Sequence, residues 1–203
     1  EKDMKTVIFD FNGTLYFDQD LNIEAWKVIY EEIIGHSDDF IEQIEQILAT
    51  KDDTNINRFF NKVGKQVDQA TLDAYAHKKE ELYQTLAKQK NRNELAPGAK
   101  ELLDYLKDNN YDIYMATASI KYNVDFYLDY CGMSKWIPLD HVAYDDGANT
   151  NKKDIYLDAI SKSKSNPKDI IAFDDSYGSC QSAIDAGISN LIRINHYNYR
   201  HLD

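Results

Sequence analysis

Several things are scarce in this chain, and each scarcity excludes something. Two cysteines, Cys131 and Cys180, occur in 203 residues. They can form no disulfide framework and lack metal-ligand spacing, which predicts a reducing, cytoplasmic setting. No apolar run approaches membrane-spanning length and no signal peptide is visible, so no membrane partner is expected. There is no internal repeat and no low-complexity tract. Positive charge is short as well: 23 Lys and Arg face 35 Asp and Glu, a net charge of −12. That balance repels a phosphate polymer and argues against nucleic-acid binding. It leaves small anionic ligands open, because one local cation can dominate a pocket. Residues 1–3, ahead of Met4, are set aside from fold reasoning.

What is present is globular: 43% hydrophobic and 29% charged residues, in a chain long enough for one core plus a small second domain. The organising stretch is Thr6 to Tyr16, Thr-Val-Ile-Phe-Asp-Phe-Asn-Gly-Thr-Leu-Tyr. A short β-branched run ends abruptly on Asp10, which predicts a buried strand running out into a tight loop. In open α/β sheets that edge is where ligands bind. Gly13 permits a turn whose N–H groups converge on an anion-sized concavity, with Thr14 beside it. An Asx-turn at an ordinary strand end is the competing reading.

From about residue 22 to residue 90 glycine is sparse and no strand is evident. Apolar residues recur at helical spacing in four pieces: Ile23 to Ile34, Phe40 to Leu48, Ile56 to Val63 and Leu72 to Leu86. Gly35 reads as a stop, the Ser37-Asp38-Asp39 cluster as a fresh start, and Thr54 as the cap of the third helix. Beyond Pro97-Gly98, strands alternate with helices. Tyr111 to Thr117, Asp140 to Tyr144, Asp169 to Phe173 and Asn190 to Ile194 are the expected strands, with Gly187 ending the last helix. This alternation predicts an α/β fold, a doubly wound parallel sheet, carrying an inserted four-helix cap domain. The expected domains are residues 1–16 with 94–203, and residues 17–93. The aromatic tail around His196 and His201 has no assignment.

Parallel strands would bring four chemically capable ends together: Asp10 with Asn12, Thr117 with Ser119, Lys152 or Lys153, and Asp174 with Asp175. Converging carboxylates repel unless a hard cation sits among them, and oxygen-only ligands suit Mg²⁺. A lysine and a hydroxyl suit the remaining oxygens of a phosphoryl group. Each residue also has a plainer reading. Thr117 could be a strand-end hydroxyl, one of Lys152 and Lys153 a solvated residue, and Asp174-Asp175 an acidic pair at a helix N-terminus. Ser119 and Ser176 read mainly as caps. His36, His77, His141, His196 and His201 show no metal spacing.

With these motifs in order, the chain resembles the haloacid dehalogenase-like superfamily of aspartate-nucleophile phosphotransferases. The matching segments are Asp10-Phe11-Asn12-Gly13-Thr14, Thr117, the Lys152-Lys153 pair, and Asp174-Asp175-Ser176. The insert resembles the cap of the phosphoglycolate phosphatase and β-phosphoglucomutase subfamily. The resemblance implies an Mg²⁺-dependent phosphatase of small phosphorylated metabolites, monomeric or homodimeric, with transient phosphorylation of Asp10. Asp10, the main-chain carbonyl of Asn12, Asp174 and Asp175 would hold the ion. Thr117 and a lysine, Lys152 in preference to Lys153, would hold the phosphoryl oxygens. Arg58 or Lys51 in the cap could read an anionic substrate tail, and cap closure would exclude water. A helix start with its exposed face explains Arg58 and Lys51 equally well. Lys51 as a Schiff-base lysine of a phosphonate hydrolase is a minor reading, and a metal-free dehalogenase would not need the acidic pair.

Asn12 breaks the family pattern, which has an aspartate acid–base there. A carboxamide can neither protonate a leaving oxygen nor activate water, and losing such a group typically costs ~10²–10⁴-fold. The open outcomes are good leaving groups such as acyl or aryl phosphates, a proton from the substrate or another side chain, retained binding with lost turnover, or a substitution introduced to trap a complex. A sugar phosphomutase and a phospho-ligand-binding protein are the alternative functions.

Overall fold

The computed structural model describes residues 5–195; His196 and His201 lie outside the described residues. The chain divides into two compact units, Asp18–Arg92 and Glu1–Phe17 with Asn93–Asp203.

The Asp18–Arg92 unit is helical: α1 (Gln19–Ile34), α2 (Ile44–Leu48), α3 (Asp52–Lys62) and α4 (Gln69–Gln89), with a 3₁₀ turn at Ile41–Gln43 leading into α2. Trp26, Ile29 and Tyr30 of α1 close on Phe40, Ile47, Ile56, Phe59 and Leu72 to form its core. The Phe59 ring meets Trp26 and Tyr30 edge-on, at 5.9 and 5.0 Å between centroids, the arrangement that aromatic quadrupoles favour. Gly35 ends α1 with φ +95° and its N–H on the Glu31 carbonyl. Two expected starts differ. Thr54 lies inside the first turn of α3, whose N-cap is Lys51; Asp52 and Asp53 occupy that turn, where carboxylates suit the helix dipole. The 37–39 segment forms a turn that caps no helix by side chain; Asp39 instead accepts the Tyr30 hydroxyl.

The other unit holds five parallel strands, β1 (Thr6–Phe9), β2 (Asp112–Ile120), β3 (Val142–Asp145), β4 (Ile170–Asp174) and β5 (Asn190–Arg193), in the order β3-β2-β1-β4-β5. Ile8 stands level with Tyr114 on one side and Ala172 on the other. Helices α5 (Ala99–Asp108), α6 (Lys121–Asp129), α7 (Lys152–Ser163) and α8 (Tyr177–Asp185) connect the strands. The chain winds outward from β1 through β2 and β3, then crosses back to β4 and β5. Right-handed crossovers therefore put α5 and α6 on one face and α7 and α8 on the other. The second face is the better defined by packing: Ile155 and Ala159 of α7 and Ala183 of α8 close over Ile8, Tyr114, Ala116 and Ala172.

The winding reverses between β1 and β4, which opens a crevice beyond their C-terminal ends. β2 runs past the expected Thr117 to Ile120, and its register with β3 shifts between Ala116 and Ile120. Ser119 is thus a strand residue and not a helix cap. Cys131 and Cys180 are both buried. Among the described residues, no helix is long and apolar enough to cross a membrane.

Candidate active site

Asp10 follows β1 directly, and its N–H is bonded to the Phe173 carbonyl of β4 at 2.9 Å. The carboxylate is thereby held over the crevice and nearly buried. The Thr14 hydroxyl donates to its Oδ2 at 2.9 Å, and Lys152 Nζ donates to its Oδ1 at 2.7 Å. Lys152 opens α7, which places it at the same sheet edge, and it also lies 3.5 Å from Asp174 Oδ2. Asp174 ends β4 with no exposed surface. Its Oδ2 accepts the Tyr156 hydroxyl at 2.6 Å, and its Oδ1 accepts the Asp175 N–H at 2.7 Å. Lys153, the alternative lysine, has no bond to this cluster among the contacts of the described residues.

Oxygens of Asp10, Asp174 and Asp175 lie within 4.8 Å of one another. Three carboxylates less one ammonium leave two uncompensated negative charges, which is the demand a divalent ion meets. The donor set is all oxygen, the chemistry that hard cations such as Mg²⁺, Ca²⁺ and Mn²⁺ favour. Gly13 makes room for this arrangement. Its φ is +81°, and a Cβ there would stand 2.3 Å from Asp175 Oδ2.

Electrostatics reflect the crowding. Burial pushes the Asp10 carboxyl up to about 6, against the pull of Lys152 and with a further push from Asp175. Asp174 is raised by burial and then by Asp10, and Asp175 mainly by burial. Burial alone would lower Lys152, but Asp10 and Asp174 outweigh it and hold the ammonium charged. A bound cation would reverse the direction for the carboxylates.

The loop does not form the expected anion cradle from Gly13 and Thr14. The Gly13 N–H bonds the Tyr16 carbonyl at 2.9 Å, and the Thr14 N–H bonds Phe11 at 3.1 Å. The turn closes on itself, so these donors point inward. Thr14 acts on Asp10 through its side chain instead.

On the β2 side of the edge, Asn12 gathers hydroxyls. Its Nδ2 donates to Tyr127 at 2.9 Å; its Oδ1 accepts from Ser119 at 3.0 Å and, more weakly, from Thr117 at 3.4 Å. Ser119 and Tyr127 touch at 2.8 Å between oxygens. Tyr127 and Tyr156 are the residues that sequence reasoning missed. Tyr156 had a signal: it follows Lys152 by one helical turn, and the ammonium lies 5.4 Å from its ring centre. Tyr127 had none beyond being a tyrosine on a helix.

Arg58 and Lys51 belong to the helical unit. Arg58 donates to the Asn55 side chain at 2.8 Å, and Asn55 in turn donates to the Ile47 carbonyl at 2.8 Å. This bond ties Arg58 to the α2–α3 connection. Ser176 caps α8 by accepting the Ser179 N–H at 3.2 Å. His141 packs flat on Tyr114 with 4.2 Å between ring centres. His77 pairs with Glu81 along α4 at 2.8 Å, and His36 lies 3.9 Å from Asp38.

A family model for hydrolases, described as haloacid dehalogenase-like hydrolase, matches residues 4–187. The chain belongs to the haloacid dehalogenase-like hydrolase family. A family member from Entamoeba histolytica, described as family IA, variant 3, is 30% identical and superposes with a TM-score of 0.82, covering 93% of this chain and 84% of its own. The β-phosphoglucomutase of Clostridium difficile superposes at 0.77 with 21% identity, over 97% of this chain and 87% of its own; that likeness concerns the fold. The β-phosphoglucomutase of Bacillus subtilis is 32% identical over 117 residues, which span 57% of this chain and 51% of the enzyme. This chain therefore aligns with about half the length of that curated relative.

Proposed function

We propose that the protein hydrolyses phosphate monoesters of small metabolites, with Asp10 as nucleophile and Mg²⁺ as cofactor. The observation that carries this reading is the meeting of Asp10, Asp174 and Asp175 within 4.8 Å, with Lys152 bonded to Asp10. Thr14 and Lys152 each hold one oxygen of Asp10 and so set the direction of its attack on phosphorus. Lys152, and Thr117 within β2, are the groups to meet phosphoryl oxygens as charge moves onto them. Asp10, Asp174, Asp175 and the main-chain carbonyl of Asn12 would hold the ion, which supplies charge neutralisation between a carboxylate nucleophile and an anionic phosphoryl group. Tyr156 keeps Asp174 oriented within that set.

Local identity to a β-phosphoglucomutase supports a second reading, a sugar phosphomutase; it yields an isomerised sugar phosphate where the phosphatase yields free phosphate. The test is a panel of phosphate monoesters with Mg²⁺, run beside Asp10→Asn and Asn12→Asp. Asp10→Asn should lower phosphate release by at least ~10⁴-fold, and Asn12→Asp should raise it. Full activity in Asp10→Asn removes Asp10 as nucleophile. Failure of every substrate, even with Asn12→Asp, turns the reading toward a phospho-ligand-binding protein.

A further inference from the structure

The side chains around Asn12 form a closed ring. Asn12 Nδ2 donates to the Tyr127 oxygen at 2.9 Å, Ser119 donates to Asn12 Oδ1 at 3.0 Å, and the Ser119–Tyr127 contact of 2.8 Å is satisfied when Tyr127 donates to Ser119. Around the ring, each of the three groups then gives one hydrogen bond to the next and takes one from the last, and Asn12 Oδ1 accepts the weaker Thr117 bond besides. A carboxylate at position 12 would not close this ring. It carries no proton to give, so both hydroxyls would turn their protons to it and leave two oxygens facing at 2.8 Å without a hydrogen between them. The surroundings of position 12 therefore suit a side chain that both gives and takes a hydrogen bond, as the amide does at every pH and a carboxyl does only while it keeps its proton.

That amide, two alcohols and a phenol are what the β2 side offers to a departing group: Asn12, Thr117, Ser119 and Tyr127. None of these side chains titrates ordinarily near neutral pH. On the other side, Lys152 is an ammonium bonded to Asp10 and close to Asp174, and the carboxylates face one common point. Among the described residues of this unit, the β2 side of the sheet edge thus sets amide and hydroxyl groups, and no carboxyl or imidazole, opposite the nucleophile. Sugar phosphates need a proton donor, because an alkoxide is a poor leaving group. Acyl phosphates do not, because a carboxylate leaves as the anion.

Building on the assignment of Asp10 as nucleophile, we propose that Ser119 and Tyr127 are positioning residues that lock Asn12 as a proton-inert amide, and that the site takes its phosphoryl group from acyl phosphates in preference to alkyl phosphates. In the first step a carboxylate oxygen of Asp10 bonds to phosphorus, the bond from phosphorus to the acyl oxygen breaks, and the electron pair leaves with the carboxylate product; no proton moves. In the second, water attacks phosphorus, its proton passes to solvent, and the Asp10 carboxylate is released with inorganic phosphate. With no base beside it, this second step is slow, and phospho-Asp10 accumulates.

The experiment compares acetyl phosphate with glucose 6-phosphate, each with Mg²⁺ and the full chain. It reads phosphate release and phosphoryl mass on the intact protein. Acetyl phosphate should be favoured in kcat/KM by ~10²-fold or more, with phosphorylated protein detectable in wild type and absent in Asp10→Asn. Asn12→Asp should raise kcat/KM for glucose 6-phosphate at least tenfold while changing that for acetyl phosphate far less, and should raise kcat for acetyl phosphate because it speeds hydrolysis of phospho-Asp10. In that variant both hydroxyls would stabilise the introduced carboxylate, so adding Tyr127→Phe or Ser119→Ala should move the acid limb of its pH profile upward by roughly one unit. Merely structural residues would leave that limb in place. Equal kcat/KM for the two donors, with phospho-Asp10 formed, overturns the inference and spares the nucleophile. No phosphoryl group on Asp10 from either donor, in folded protein, overturns both.

Discussion

Lys79 of α4 and Lys152 of α7 keep only 5% and 11% of their side-chain surface exposed, yet their company differs. Lys79 donates to Asn22 at 2.6 Å and to Glu80 at 3.0 Å, and lies 5.0 and 5.8 Å from the ring centres of Trp26 and Tyr83. Its charge is shared among the touching Glu80, the more distant Asp52 and Asp18, and two π faces. Lys152 touches Asp10, approaches Asp174, and leaves Asp175 to a third party. Both ammonium groups are held charged by their carboxylates against burial, so neither burial nor titration separates them. Convergence does. Among the described residues Asp10, Asp174 and Asp175 close on a point within 4.8 Å, and the acids around Lys79 form no such group. A buried ion network whose acids stay apart is scaffold; one whose acids converge on a single point is a site.

Paired substitutions make this contrast testable. Lys152→Met and Lys79→Met should each cost ~3–5 kcal/mol in metal-free protein, because each strands buried carboxylates. Chemical denaturation measures this. Mg²⁺ should return much of the loss in Lys152→Met, where cation can replace cation. In Lys79→Met it should add no more than it adds to wild type. Equal recovery in the two variants would end the distinction between the networks. Lys152→Met should also lower phosphate release by ~10²–10³-fold.

A smaller effect comes from two glycines with positive φ, Gly13 beside the carboxylates and Gly35 at the end of α1. Alanine at either should cost ~1–2 kcal/mol for the left-handed backbone. At Gly35 nothing lies within 4 Å of the new Cβ, while at Gly13 the Cβ meets Asp175 Oδ2 at 2.3 Å. Gly13→Ala should therefore also weaken Mg²⁺ binding by ~10–100-fold, and Gly35→Ala should leave it unchanged. Titration of Mg²⁺ by calorimetry separates the two. Unchanged affinity in Gly13→Ala would detach Asp175 from the ion site.

The same pair of regions shows what was legible in the sequence. The sheet could be read because β1 and β4 are short apolar runs that stop on carboxylates, and alternation with helices leaves only parallel pairing. That pairing brings residues 164 positions apart in the chain, Asp10 and Asp174, to one edge. Less legible was anything decided by side-chain direction. The loop N–H groups of Gly13 and Thr14 bond their own turn, a matter of backbone closure that composition does not show. Ser119 lies within β2 because that strand continues beyond its apolar part, where hydrophobic pattern gives no warning. Thr54 was the more conspicuous cap residue, but Asp52 and Asp53 moved the helix start ahead of it. Tyr127 reaches Asn12 from a neighbouring helix, a contact set by crossover geometry alone.

The smallest expected effect concerns Asp52, whose carboxyl is raised well above the usual range, first by burial and then by Glu80 and Asp53, against the pull of Lys79. A carboxyl raised on folding contributes its stability below the unfolded value near 3.9 and loses it as pH rises through the folded value. Metal-free wild type should therefore lose stability across that window, while Asp52→Asn, which has no proton to lose, should lose less. The difference in melting temperature, variant minus wild type, should climb from about zero or below at pH 4 to a gain at pH 8 worth on the order of 1 kcal/mol. Scanning calorimetry at several pH values, without divalent ions, measures it. If the difference is flat with pH, Asp52 is no part of the buried network around Lys79. If it climbs but Mg²⁺ abolishes the slope, the two networks share their charge, and the separation between scaffold and site fails at its acidic edge.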